Sequence, residues 1–106
     1  MHIRRLADTE DALIVSLCAD YRRRAVALSE GILPHLTEMQ YKYLNFKIYE
    51  AAAETVGEAL AELYIAEIGA RKGYAGSAVE DISDTTYKER KKRVKVAIAK
   101  KLNLFF

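Results

Sequence analysis

Apolar residues recur at steps of three and four positions along nearly the whole chain. The first such stripe includes Leu13, Leu17, Tyr21 and Leu28. These steps place side chains on one face of an α-helix, because the helix turns once in 3.6 residues. One proline and five glycines in 106 residues are too few for the many turns of a β-sandwich or barrel. The pattern therefore predicts an all-α protein, and the length is that of a single domain.

Start and stop signals divide the first two thirds of the chain into three predicted helices. Asp8 or Thr9 can cap a helix that continues to about residue 29 and ends at Gly31. Its three arginines at 22–24 interrupt the apolar stripe, and we expect them on the wetter side. A capping box that begins at Thr37 predicts a second helix up to residue 56. Gly57 favours a break or kink before a third helix over 58–72.

The C-terminal third has its own signals. Gly73 is a natural cap for the preceding helix, and a capping box at Ser77 predicts a short helical turn ending near residue 82. Ser83 then caps a last, basic helix over about 84–102, with Tyr87 on its apolar face. We expect one helical domain over residues 1–106, a compact bundle of four to five helices with a helix-turn-helix-like C-terminal part.

The residue inventory narrows the function. The sequence has one cysteine, Cys18, on an apolar stripe, and two histidines, so an internal disulfide and a cysteine-cluster metal site are excluded. No phosphate-binding glycine loop and no nucleophile motif is present in the sequence. We therefore expect no enzyme activity, cofactor, metal or small-molecule substrate. The acids at 50, 54, 58 and 62 are interpreted as a solvated face. No long apolar run or signal peptide is present, so we expect a cytoplasmic protein without membrane contact.

Charge is distributed unevenly along the chain. Residues 84–106 carry eight bases and two acids, a net of +6, whereas residues 1–83 carry nine bases and thirteen acids, a net of −4. Basic patches attract the phosphate backbone of nucleic acids. Here the basic run follows a predicted helix N-terminus with small hydroxyl residues, the place where recognition helices meet base edges. The alternative is a solvated basic face with no binding role, or contact with an acidic protein or membrane.

This segment resembles a known group of proteins. The resemblance is carried by Ile82, Ser83, Thr85, Thr86, Tyr87 and Lys88, by the basic residues after them, and by Ile98-Ala99 and Leu102-Asn103-Leu104. These residues resemble the C-terminal end of phage late-operon transcriptional regulators of the ArpU type. Residues 41–104 also resemble small uncharacterised prophage-region proteins of Gram-positive bacteria. The resemblance implies that this segment opens a recognition helix after a preceding helix and a tight turn. That preceding helix would be residues 77–81, or 58–72 with an unusually long turn.

The resemblance and the basic run together define a candidate DNA-facing set, with Tyr87 packing inward. The set comprises Ser83, Thr85, Thr86, Lys88, Arg90, Lys91, Lys92 and Lys95. We expect a double-stranded DNA-binding regulator that acts as a homodimer. Dimerisation is indicated by the apolar breadth of residues 39–56 and by the apolar tail 104–106. The rival hypothesis is a non-enzymatic helical interaction or assembly protein, a homo-oligomer with no nucleic-acid role.

Overall fold

Five α-helices account for most of the computed structural model, which describes residues 6–79 and 81–105. They are α1 (Asp8–Ala19), α2 (Tyr21–Glu30), α3 (His35–Val56), α4 (Glu58–Gly69) and α5 (Asp84–Lys101), with a short 3₁₀ turn at Tyr74–Gly76. The described residues contain no β-strand. The predicted all-α bundle is confirmed. No helix in the described part of the chain is long and apolar enough to cross a membrane.

The predicted first helix is two helices with a break at Asp20. The Asp20 carboxylate accepts hydrogen bonds from Arg23 at 2.5 and 2.6 Å and from Arg24 at 3.3 Å. The prediction that Arg24 lies on the wetter side is wrong, because its side chain is buried. Its Nε donates to Asn45 Oδ1 and its Nη2 to the Leu17 carbonyl, both at 2.7 Å. These bonds satisfy the buried guanidinium and join α2 to both α1 and α3.

Two helix starts differ from the predicted ones. Ala7, rather than Asp8 or Thr9, is the N-cap of α1, and its N–H donates to the Glu10 carboxylate at 2.8 Å. The α3 helix begins at His35, directly after Pro34 and ahead of the predicted capping box at Thr37. Proline suits this position because it lacks the N–H that a helix start would leave without a partner.

Glycine ends α2 and α3 as predicted. Gly31 has φ 70°, and Gly57 has φ 90° with ψ 155°. Residues other than glycine rarely adopt such positive φ values. The α4 helix begins immediately after Gly57, so residues 37–69 form two helices rather than one.

Helix α3 lies at the centre of the fold and packs on both α4 and α5. Ile48, Ile65, Ile68 and Ile98 are among the fully buried core residues. Gly69 allows α4 to approach α1 closely, because a Cβ there would lie 2.6 Å from the Ala19 Cα. The neighbouring α1 residues include Cys18, which is buried as predicted.

The two segments predicted to support dimerisation are largely used inside the molecule. Within residues 39–56, Ile48, Ala51 and Ala52 are buried in the core, and only part of the helix surface remains exposed. Leu104 and Phe105 of the apolar tail pack against the core as partly buried residues. Phe106 lies outside the described residues. Within residues 39–56, the surface left for a partner is therefore the exposed side of the N-terminal half of α3, which carries Met39, Tyr43 and Phe46.

The connection from α4 to α5 spans residues 70–83 and differs from its prediction. Helix α4 ends at Gly69, and Arg71, not Gly73, takes the positive φ, at 55°. Residues 77–79 form no helix, so the predicted helical turn at Ser77 is wrong. The Ser77 hydroxyl instead donates to the Glu67 carboxylate at 2.6 Å. The two C-terminal helices are thus joined by a long connection rather than by the three- to four-residue turn of a standard helix-turn-helix.

Candidate nucleic-acid interface

The first turn of α5 is closed by the predicted cap. Ser83 Oγ accepts the Thr86 N–H at 3.1 Å and donates to Thr86 Oγ1 at 3.0 Å. The hydroxyls of Ser83 and Thr86 are therefore engaged with each other, whereas the Thr85 side chain is exposed. Ser83 and Thr85 are both exposed, and of these two only Thr85 has a hydroxyl without a hydrogen-bond partner within the described residues.

Tyr87 holds the start of α5 against α4 through a buried carboxylate. Its side chain is 0% exposed, as predicted, and its hydroxyl donates to Glu67 Oε1 at 2.7 Å. Glu67 is 1% exposed, and it also accepts hydrogen bonds from the Ser77 hydroxyl at 2.6 Å and the Ala78 N–H at 2.7 Å. We call Glu67 and these three donors the Glu67 cluster. It ties the middle of the long connection and the first turn of α5 to one point on α4.

The charge of Glu67 is stabilised where it lies. Burial raises the pKa of the Glu67 carboxyl, but the hydrogen bonds from Ser77, Ala78 and Tyr87 outweigh burial, so the pKa lies below its ordinary value. Three donors to one carboxylate commonly have this effect. The sequence contained a signal for this residue, because Glu67 falls between Tyr64 and Ile68 on the apolar stripe of its helix. A charged residue at such a position needs buried partners.

The outer face of α5 presents a row of exposed residues at steps of three and four. This exposed row comprises Thr85, Lys88, Lys92 and, on its edge, Arg93. Lys88 pairs with Asp84 at 3.2 Å and Arg93 with Glu89 at 3.7 Å. Pairs of this exposed i,i+4 type contribute only about 0.3–0.5 kcal/mol, so a phosphate can displace the carboxylate. Within the described residues, Lys92 has no ion-pair partner.

A shallow polar cleft lies beside this row, at the junction of α5 with α3. It has a volume of about 330 Å³ and is lined by Thr55, Thr85, Thr86, Glu89, Arg90 and Arg93. Arg90 is half-buried on the wall of this cleft, again without an ion-pair partner in the described part of the chain. The planar guanidinium of arginine is the side-chain group best suited to bind a phosphate through two parallel hydrogen bonds.

Two members of the candidate DNA-facing set, Lys91 and Lys95, are partly buried and make contacts inside the molecule. Lys91 Nζ donates to the Lys72 carbonyl and lies 5.2 Å from the centre of the Tyr87 ring. Burial and the nearby charge of Lys95 lower the pKa of Lys91. Lys95 Nζ bonds Asp11 at 2.8 Å, which joins α5 to α1. Both ammonium groups therefore serve internal contacts.

At the C-terminal end of α5, carboxylates of α3 neutralise part of the positive charge. Lys101 pairs with Glu50 at 3.1 Å and with Glu54 at 2.6 Å, two acids of the face predicted to be solvated. The cations without a strong carboxylate contact therefore concentrate in the first half of the helix. The net charge of the segment overstates what the surface offers to an anion.

No metal centre competes with this interpretation in the described residues, where no group of three or more histidine, cysteine and acidic side chains could hold an ion. Compared with protein families, with curated proteins and with solved structures, the chain matches none. The resemblance to phage late-operon regulators therefore stays a prediction.

Proposed function

We propose that this protein binds double-stranded DNA through the first half of α5, as a small non-enzymatic transcriptional regulator of the phage type. The observation that carries the proposal is that Lys88, Lys92 and Arg93 are exposed on α5, with Arg90 on the wall of the cleft beside Arg93. Neither Lys92 nor Arg90 has a carboxylate partner within the described residues. Lys92 lies on the flank of α5 that faces α1, and Arg90 and Arg93 lie on the flank that faces α3, so a duplex lying across the exposed side of the helix would meet cations on both flanks. Thr85, exposed in the first turn, is the residue best placed to meet a base edge.

The Glu67 cluster supports this proposal by making the surface rigid. Tyr87 lies between Thr85 and Lys88 in the sequence, and its hydroxyl is bonded to buried Glu67. The backbone that carries the candidate contacts is therefore fixed relative to α4. Preorganised contacts lose less conformational entropy on binding than flexible ones. In this view, Lys91 and Lys95 position the helix, while the exposed row and Arg90 contact DNA.

A salt titration of duplex binding tests the proposal. Fluorescence anisotropy should show log K falling linearly with log salt concentration, with a slope of roughly 0.9 per phosphate contact. The double variant Arg90→Ala, Lys92→Ala should flatten this slope by about 2 units, and Thr85→Ala should alter the preferred sequence. A matched control is Arg22→Ala, Lys72→Ala, which removes the same charge from exposed positions on α2 and in the connection after α4.

Two results would contradict the proposal. One is the absence of duplex binding below about 100 µM at low salt, since non-specific DNA binding commonly reaches 10⁻⁴–10⁻⁶ M. The other is an equal loss of affinity in the test and control double variants, which would reflect net charge rather than the α5 surface. Either result favours the rival hypothesis of a helical interaction protein.

A further inference from the structure

The N-terminal half of α3 carries a row of large apolar side chains that the fold leaves uncovered. We call Leu36, Met39, Tyr43 and Phe46 the α3 stripe; they are 73%, 55%, 48% and 60% exposed. Ile32, one helical turn earlier in the chain, is 81% exposed. The other apolar face of α3 is in the core, where Ile48, Ala51 and Ala52 are fully buried. The helix is therefore apolar on two opposite faces, and only one is used.

The uncovered area is large for a chain of this size. A fully exposed side chain of this kind offers on the order of 200 Å², so Ile32 and the α3 stripe together leave roughly 600 Å² of apolar surface exposed. The largest apolar patch on a typical monomer is about 300–600 Å² and is often functional. The four residues of the α3 stripe account for roughly 470 Å² of this area, so two stripes in contact would bury roughly 950 Å² of apolar surface. That is close to the ~1,000 Å² expected of a biological interface, before the polar rim is counted.

The spacing of the α3 stripe is that of a coiled-coil seam. Its members are separated by three, four and three residues, the pattern of alternating a and d positions in a heptad. This spacing reads the same in both directions along the helix. A second copy in the reverse orientation therefore places Leu36 opposite Phe46 and Met39 opposite Tyr43, with a two-fold axis near Tyr41.

Charge favours the reverse orientation over the parallel one. With Leu36 and Tyr43 at a positions, Lys42 and Lys47 occupy flanking g and e positions. In a parallel pair, the g residue of one helix contacts the e residue five positions later in the other. That contact would bring Lys42 of one copy against Lys47 of the next, a repulsive pair. By symmetry, the parallel dimer contains two such pairs. In the reverse orientation g positions face g positions, so Lys42 lies near Lys42 of the second copy, and one repulsive pair replaces two.

The cations beside the stripe already have partners in the monomer. Lys42 pairs with Glu38 at 3.0 Å, and Lys47 Nζ lies 5.9 and 5.8 Å from the centres of the Tyr43 and Phe46 rings. These contacts leave the apolar row open between polar edges. An apolar centre with a polar rim is the usual composition of a protein interface.

From the area, the spacing and the charges, we infer that the α3 stripe is the interface of an antiparallel homodimer, with a second copy of this chain as its occupant. This inference does not depend on DNA binding. It narrows the sequence expectation of dimerisation through residues 39–56 and the C-terminal tail. Three of the four stripe residues lie within 39–56, whereas Leu104 and Phe105 of the tail pack against the core.

Sedimentation equilibrium over about 1–200 µM protein tests the interface. The native chain should be a dimer in the upper part of this range, and Met39→Lys should weaken self-association by about 30-fold or more, as at interface hot spots. Leu13→Lys is the matched control, because Leu13 is 42% exposed on α1 and lies outside the stripe. Circular dichroism should show both variants folded. A monomeric native chain at 200 µM, or an equal effect of the two variants, would overturn the inference.

Cysteine cross-linking tests the orientation. The double variant Met39→Cys, Tyr43→Cys should form covalent dimers readily, because position 39 of one copy faces position 43 of the other. The single variant Met39→Cys should cross-link much more slowly. Native Cys18 does not interfere, since it is buried and burial raises the pKa of its thiol to about 12. Equal cross-linking by the single and double variants would overturn the antiparallel arrangement.

Discussion

Two buried tyrosines of nearly identical setting allow the Glu67 cluster to be measured. Tyr64 and Tyr87 are both 0% exposed, and their ring centres lie 5.8 Å apart. They differ in the hydroxyl: that of Tyr87 donates to Glu67 at 2.7 Å, whereas that of Tyr64 is buried without a hydrogen-bond partner among the described residues. Replacing each by phenylalanine removes one oxygen atom and leaves the ring in place. The comparison therefore isolates the hydrogen bond.

The expected magnitudes follow from these contacts. Tyr87→Phe removes a hydrogen bond to a charged acceptor, and such bonds contribute about 1.5–3 kcal/mol to the free energy of unfolding. Glu67 keeps two of its three donors in this variant, which argues for the lower half of that range. Tyr64→Phe removes a hydroxyl that is desolvated without compensation, so we expect no loss of stability, or a gain of up to about 1 kcal/mol.

Urea unfolding followed by circular dichroism at pH 7 measures both changes. A chain of this size loses about 1–2 kcal/mol of stability per molar urea, so Tyr87→Phe should lower the midpoint by roughly 1 M. Tyr64→Phe should leave it unchanged or raise it. Equal destabilisation by the two substitutions would refute the reasoning, because the effect would then come from ring packing rather than from the bond to Glu67.

Three further predictions concern the same core. Gly69→Ala should destabilise the folded protein by about 1–3 kcal/mol, measured by a thermal melt, because the new Cβ would meet Ala19 backbone atoms at 2.6 Å. This loss should exceed the gain from the better helix propensity of alanine. The control Gly73→Ala, with open space around it, should have little effect. Glu67 has a lowered pKa in the folded state, so its stabilising contribution is complete above the unfolded value of about 4.3 and is lost as pH falls through the folded value. Glu67→Gln should therefore flatten the acid limb of stability against pH, and an unchanged limb would contradict the assignment. Cys18 should react with a thiol reagent at pH 8 only after unfolding, because burial raises its pKa to about 12; rapid labelling of the folded chain would show that α1 opens.

Features that depend on local chain geometry were predictable from the sequence. The helical periodicity predicted the fold class, and Gly31, Gly57 and Ser83 marked three helix boundaries where the structure has them. A positive φ or an N-cap hydrogen bond involves only a few neighbouring residues, so the local sequence specifies it. The burial of Tyr87 followed from the same periodicity.

What each helix face contacts was decided only by the tertiary structure. The basic run of α5 looked like one continuous surface, yet Lys91 turns toward the Lys72 carbonyl and Lys95 toward Asp11, which is 84 residues away. The same applies to buried Arg24, whose partner Asn45 lies on another helix. Periodicity shows which residues share a face, but the neighbour that covers that face comes from a distant part of the chain. For this reason the candidate DNA surface is smaller than the sequence predicts and lies in the first half of α5, and only the structure shows that the α3 stripe is uncovered.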